Sequence, residues 1–386
     1  MHFKIDKADG INGHLTFHNV LKQLLLLKNG VYRRHYSATT GCAQWGICPT
    51  MAAFVLSVGL SGLSAQGQSN RWSVAALKDW ELRRPTLVSN MQVVMGPLPD
   101  KSRRCPLALE TKEEVDAGDF MRRRIEFTSE PGSRMQAYLL VPKSALEARP
   151  ASSAGLPAVL ALHQTHQLGP KVVVGLGDTG SDGYGVELAK RGYVVLAPPY
   201  PLLGEYAPDL KKLGYASGTM KAIWDNMRAL DVLESLPFVR TNRFGAIGHS
   251  LGGHNALYTA VFDERIKVVA TSCGFDSFRD YMNGDIKGWT SMRYMPRLLD
   301  YPLDKLPFDF FEVLALVAPR QIFVNAPMGD SNFKWRSVDA VAREVWPIYR
   351  LYNAEENLEI VHPDCGHSFP PEIREQAYRV FDKVLR

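Results

Sequence analysis

The chain has 386 residues, 46% of them hydrophobic and 22% charged, which suits a globular protein with a large core and excludes a disordered or low-complexity chain. Its net charge of +5 is concentrated at the N-terminus, where residues 1–50 hold Lys4, Lys7, Lys22, Lys28, Arg33 and Arg34 against Asp6 and Asp9; the remainder is near +1. A nucleic-acid partner is therefore not expected, because phosphate binding needs a concentrated basic surface.

Residues 51–65 read MAAFVLSVGLSGLSA, apolar and uncharged, and end in the small residues Ser64-Ala65. The run falls short of the ~20 residues a membrane span needs. It reads as a secretory signal, with a membrane anchor as the second reading, so a secreted or periplasmic protein with no stable span is expected. Residues 1–68 are a leader, 69–120 a helical and extended segment packed on the core, and 121–386 the main domain.

In chain order, 72–84 predicts a helix, and 91–98 an apolar segment lying across the domain. Residues 122–128 and 135–141 alternate about Glu130-Pro131-Gly132-Ser133, a hairpin signal. Buried strands are expected at 158–162, 193–197, 266–270, 321–324 and 358–361, and helices at 185–191, 218–236, 338–351 and 372–385. Residues 274–317, rich in Asp, Tyr and Phe, form an excursion. Apolar strands alternating with helices after a hairpin imply a mostly parallel sheet covered on both faces.

Gly248-His249-Ser250-Leu251-Gly252 stands between an apolar strand, from Phe244 to Ile247, and a helical stretch from His254 to Phe262. A strand that turns sharply into a helix holds its turn residue in a strained conformation and lifts that side chain above the sheet edge. Glycines two residues to either side let the two backbones approach. This is the G-x-S-x-G nucleophile elbow of an α/β-hydrolase fold. A serine hydroxyl needs a base, and in this fold the partners follow in the order Ser, acid, His.

His254, His362 and His367 follow Ser250. His254 is expected to point along the elbow helix and His362 to be structural, whereas the Pro- and Gly-containing loop 362–370 can carry His367 over the nucleophile. Asp330 is the expected acid, at the end of the 321–324 strand; Asp276, one strand earlier, is its rival and reads equally well as a helix cap. Asp364 is too close to His367 in sequence. The oxyanion formed on attack needs two N–H donors, assigned to Leu251 and to Gln164 or Thr165 in the loop after 158–162, where His163 and His166 shape the backbone.

Cys105, Cys273 and Cys365 follow the leader, which holds Cys42 and Cys48. None has metal-site spacing. Buried thiols are expected, with a Cys273–Cys365 disulfide as the alternative. No cofactor or metal is expected.

Several further runs recur in an order that resembles a bacterial α/β-hydrolase group similar to dienelactone hydrolases and acetyl-xylan-esterase-like proteins. They are His163-Gln164-Thr165, Glu187 to Tyr193, Ser217 to Lys221, Gly248 to Asn255, Ser272 to Phe275, Arg293 to Pro296, Ala318 to Arg320 and His362 to His367. The likeness spans 72–386. It implies a Ser250–Asp330–His367 triad and hydrolysis of a small-molecule or carbohydrate ester. Pro199 departs from it, standing where an Asp is expected. The competing readings are a prolyl-oligopeptidase-like peptidase and a non-catalytic binding protein of the same fold.

Overall fold

The protein is described here from a computed structural model covering residues 76–147, 155–177 and 183–386. The leader, its apolar run at 51–65 and Cys42 and Cys48 lie outside the described residues. The sheet contains β1 (Glu110–Asp116), β2 (Phe120–Glu130), β3 (Ser133–Pro142), β4 (Leu156–Leu162), β5 (Val194–Ala197), β6 (Val239–His249), β7 (Ile266–Ser272), β8 (Gln321–Asn325) and β9 (Leu358–Val361). They lie in the order β1-β2-β3-β5-β4-β6-β7-β8-β9. The pairs from β1 through β3 to β5 are antiparallel and all others parallel.

The central strands β4, β5, β7 and β8, and β6 from Phe244 onward, are buried along almost their whole length, which is why they read as continuous apolar runs. The edge strand β1, ETKEEVD, is exposed throughout and has no apolar periodicity. Only its pairing with β2 makes it a strand, and its charges guard the sheet edge against other chains.

One face of the sheet is covered by α1 (Leu77–Met95), α4 (Gly218–Ser235), α5 (Leu251–Phe262), α6 (Phe310–Val317) and α7 (Trp335–Leu351); α3 (Tyr184–Lys190) and α8 (Pro371–Leu385) cover the other. A short α2 (Lys143–Glu147) follows the hairpin. The helix expected to end at Arg84 runs on to Met95, so 91–95 is helical rather than an extended strap, and Pro85 lies inside it. Proline in a helix interior forfeits one hydrogen bond. Here burial of Trp80 before it and of Leu87, Met91, Val94 and Met95 after it outweighs that loss.

The end of α1 is tied to the start of α4. Ser217 Oγ donates to the Met95 carbonyl at 2.6 Å and accepts from Met220 N–H at 3.0 Å. Within α4, Lys221 is fully buried, bridging Glu130 at 3.0 Å and Asp225 at 2.5 Å. A buried ion network of this kind locks the helix to the hairpin, since stranding any one member is costly.

Candidate active site

The site begins at the elbow. β6 ends at His249, α5 begins at Leu251, and Ser250 between them has φ 53° and ψ −120°. A positive φ on a non-glycine residue costs on the order of 1–3 kcal/mol. Ser250 is held there by its N–H, which donates to Ser272 O at 2.8 Å, and by its carbonyl, which accepts from Gly253 N–H at 2.9 Å. Both elbow glycines are required by space. A Cβ on Gly248 would lie 2.2 Å from the Gly252 carbonyl, and one on Gly252 would lie 1.9 Å from the carbonyl oxygen of Leu162. The second contact also seats the loop after β4 against the start of α5, bringing residues 163–165 to the elbow.

Asp330 and His367 are brought together from two loops. Nδ1 of His367 lies 3.0 Å from each oxygen of the Asp330 carboxylate. A carboxylate only accepts, so Nδ1 carries the proton and Nε2 keeps its lone pair. Burial acts to raise the Asp330 pKa, but the bond to His367 and the N–H groups of Asn332 and Phe333 outweigh it and leave the carboxylate below its ordinary value. Gly329 N–H donates to Cys365 O and Met328 N–H to Pro363 O, each at 3.0 Å, so the acid loop and the histidine loop are zipped along their backbones.

The same pair is anchored to the elbow. Asn325 Nδ2 donates to Ser272 Oγ at 2.8 Å and to Ser368 O at 2.9 Å, bridging the strand beside Ser250 to the residue after His367. The ring of His249, next to Ser250, lies 4.9 Å from the ring of His367, centroid to centroid. His249 is itself held neutral, burial lowering its pKa to about 3, so it packs against His367 without adding charge.

The remaining sequence candidates divide. Asp276 is buried, accepts from Lys334 N–H at 3.1 Å, and makes no bond to His367. Burial raises its pKa to about 7. The helix cap in this region is Asp309, which forms a capping box with Glu312 at the start of α6. His362 is structural, bonded to Ala326 O at 2.7 Å and Asp339 at 2.9 Å. His163 bonds Gln164 O at 2.7 Å through Nδ1 and accepts from Tyr200 N–H at 3.0 Å, tying the loop after β4 to the loop after β5. His166 Nδ1 accepts from Leu168 N–H at 3.1 Å.

His254 departs from expectation. Instead of pointing away along α5, it lines the same cavity as Ser250, because the excursion folds back over the first turn of that helix. The cavity measures about 80 Å³, and Thr165, Leu251, Tyr281, Trp289, Tyr294 and Phe333 also form its walls. The excursion thus supplies an aromatic wall that sequence reasoning missed; the signal available was its density of aromatic residues. A larger cleft of about 530 Å³, lined by Arg124, Arg134, Tyr138, Lys171, Pro199 and Glu205, lies away from the elbow; of the two, the smaller is the one lined by Ser250.

Cys105, Cys273 and Cys365 are free thiols, but of the three only Cys273 is buried as expected; Cys105 and Cys365 are partly exposed. Cys273, Asp330 and His367 each place one ligand-type atom within 4.8 Å of the others. Asp330 and His367 are already spent on each other, and the Cys273 thiol donates to Ser368 O at 3.4 Å, an arrangement that braces the two loops. No helix among the described residues is long and apolar enough to cross a membrane.

Comparison with known proteins agrees with this architecture. Residues 210–352 match the family model described as glucuronyl esterase, fungi. The Bacillus subtilis (strain 168) protein YtaP, provisionally named a hydrolase, is 26% identical over 306 residues, covering 76% of this chain and 96% of its own. A glucuronoyl esterase from Solibacter usitatus superposes with a TM-score of 0.64 at 19% identity, over 81% of this chain and 94% of that one. A Bacteroides fragilis NCTC 9343 structure, provisionally named an acetyl xylan esterase, superposes with a TM-score of 0.58 at 18% identity, over 76% and 78% of the two chains. The order of its sheet, the serine on its elbow and these likenesses together show that the chain has the α/β-hydrolase fold.

Proposed function

We propose that the protein is a serine hydrolase that cleaves a carboxylic ester carried on a carbohydrate, through an acyl-enzyme. The observation that carries this reading is the Asp330–His367 pair, both oxygens at 3.0 Å, braced beside a strained elbow serine. Ser250 Oγ attacks the ester carbonyl and passes its proton to His367 Nε2, while Asp330 stabilises the imidazolium that results. The tetrahedral oxyanion is received by the N–H of Leu251 and a second N–H from the loop after β4, that of Gln164 or Thr165. Collapse breaks the C–O bond, and the departing alcohol takes the proton from His367. Water, deprotonated by His367, then attacks the acyl-Ser250 ester, and the acid and free serine are released.

The carbohydrate part of the reading rests on the family match over 210–352 and on the esterases that share the fold. The aromatic wall of the cavity is consistent with it, since sugar rings pack their apolar faces on such side chains. Neither a peptidase nor a non-catalytic protein gains support from the comparisons, whose matches are described as esterases or hydrolases. We also infer that the protein is exported, with 51–65 acting as its signal and the mature hydrolase beginning near Gln66.

A fluorophosphonate probe should label the wild-type protein and not Ser250→Ala. The substitution should lower ester turnover by about 10⁶ with the fold intact, because triad members act as a unit. The panel is methyl glucuronate, an acetylated methyl xyloside, p-nitrophenyl acetate and Xaa-Pro-amides. Retained esterase activity in purified, folded Ser250→Ala would end the reading, and preference for the amides would turn it towards a peptidase.

A further inference from the structure

Two of the residues that line the cavity at Ser250 each carry a buried polar atom that no protein atom satisfies. One is Nε2 of His254 and the other is Nε1 of Trp289; both are solvent-shielded and without a hydrogen-bond partner. Their rings are 4.7 Å apart, centroid to centroid, and His254 and Trp289 are each 3% exposed. The buried Tyr258 hydroxyl next to His254 is also unpaired, but it does not line the cavity.

The two groups are opposite in kind. Nδ1 of His254 lies 3.1 Å from the carbonyl oxygen of Gly274, which can only accept, so Nδ1 carries the ring proton. Burial lowers the His254 pKa to about 3, so the ring is neutral at working pH and Nε2 is an acceptor. Indole Nε1–H can only donate. A buried polar group left unpaired costs about 1–3 kcal/mol, so an acceptor and a donor unpaired on two neighbouring residues of one cavity wall mark a position for a partner. A hydroxyl, which both donates and accepts through one atom, is a neutral group that completes both. A carboxylate could not donate to Nε2, and an ammonium could not accept from Trp289.

We propose that His254 and Trp289 form a hydroxyl-recognition site beside the nucleophile, in which a sugar hydroxyl of the bound ester donates to His254 Nε2 and accepts from Trp289 Nε1–H. The site rests on the ester-hydrolase reading and sharpens it: selectivity is for an ester whose sugar ring bears a hydroxyl near the scissile bond. Tyr294, which lines the cavity with its ring 5.9 Å from those of both His254 and Trp289, completes an apolar wall for the sugar ring.

The test pairs each sugar ester with a ring of similar size that lacks hydroxyls. Methyl glucuronate is compared with methyl cyclohexanecarboxylate, and an acetylated methyl xyloside with cyclohexyl acetate, in wild type, His254→Phe and Trp289→Phe. The second variant keeps an aromatic ring and removes only the N–H. Wild type should favour at least one sugar ester over its carbocycle, and each variant should reduce that kcat/KM ratio by about tenfold or more, as expected when a site built to bond a hydroxyl loses its partner atom. A purely structural role would slow both members of a pair alike. Ratios unchanged within about twofold in both variants would overturn the proposal.

Calorimetry keeps the outcome independent of turnover. Glucuronic acid and methyl xyloside are titrated into Ser250→Ala with and without His254→Phe. At least tenfold weaker binding of either in the double variant supports the site, while equal binding or none to either protein overturns it. Absence of ester turnover and of fluorophosphonate labelling in wild type would instead refute the ester-hydrolase reading.

Discussion

The two aspartates that compete in the sequence for the role of acid are separated by their hydrogen bonds. Asp330 meets His367 with both oxygens, whereas Asp276 is spent on the Lys334 N–H at the start of α7. Asp330→Asn should cut turnover by as much as ~10⁴, because the amide can hold the imidazole in the wrong tautomer. Asp276→Asn should change kcat little; steady-state kinetics on the two variants decides, and the reverse result would return Asp276 to the triad. Asp276 has a separate consequence for stability. Burial lifts its pKa from 3.8 to about 7, so the folded state holds this proton more tightly than the unfolded chain does. Ionising it therefore costs stability progressively as pH rises from about 4 to about 7, and the cost persists above that. Asp276→Asn should melt higher than wild type at pH 8, with the gap closing towards pH 4. A gap independent of pH, followed by thermal melts across that range, would show that Asp276 does not titrate there.

At the scale of elements, the elbow depends on α5 starting in contact with the ends of two strands. Gly252 allows that approach, and a methyl there would overlap the carbonyl of Leu162, a backbone atom that cannot swing aside. Gly252→Ala should destabilise the protein by about 1–3 kcal/mol as an overpacked core position, and should lower activity further by shifting Ser250 and Leu251. Denaturant unfolding together with kcat/KM tests this, and a variant with wild-type values for both would show that the elbow tolerates a wider gap. The sequence was informative here because G-x-S-x-G carries its own steric reason. It was less so for α1, expected to end at Arg84, where burial on either side of Pro85 carries the helix on to Met95. It was silent on β1, whose seven exposed residues have no pattern of their own and become a strand only against β2.

At the scale of the whole molecule, export is the remaining prediction. If 51–65 is a cleaved signal, protein recovered from the periplasm or medium of a bacterial host should begin near Gln66. N-terminal sequencing reads this directly, and an intact 51–65 run in a membrane fraction would favour an anchor. By itself the sequence determined the α/β layering and the elbow at Ser250, and put His367 and Asp330 forward as candidates, because apolar period, glycine spacing and the order of strand ends are local properties written along the chain. Tertiary structure alone pairs Asp330 rather than Asp276 with His367, because a carboxylate–imidazole bond joins residues 37 positions apart through two loops zipped together only in the fold. It alone also turned His254 from a helix residue into part of the cavity wall. That outcome depends on the excursion bringing Trp289 and Tyr294 over the first turn of α5, a long-range packing that no local pattern encodes.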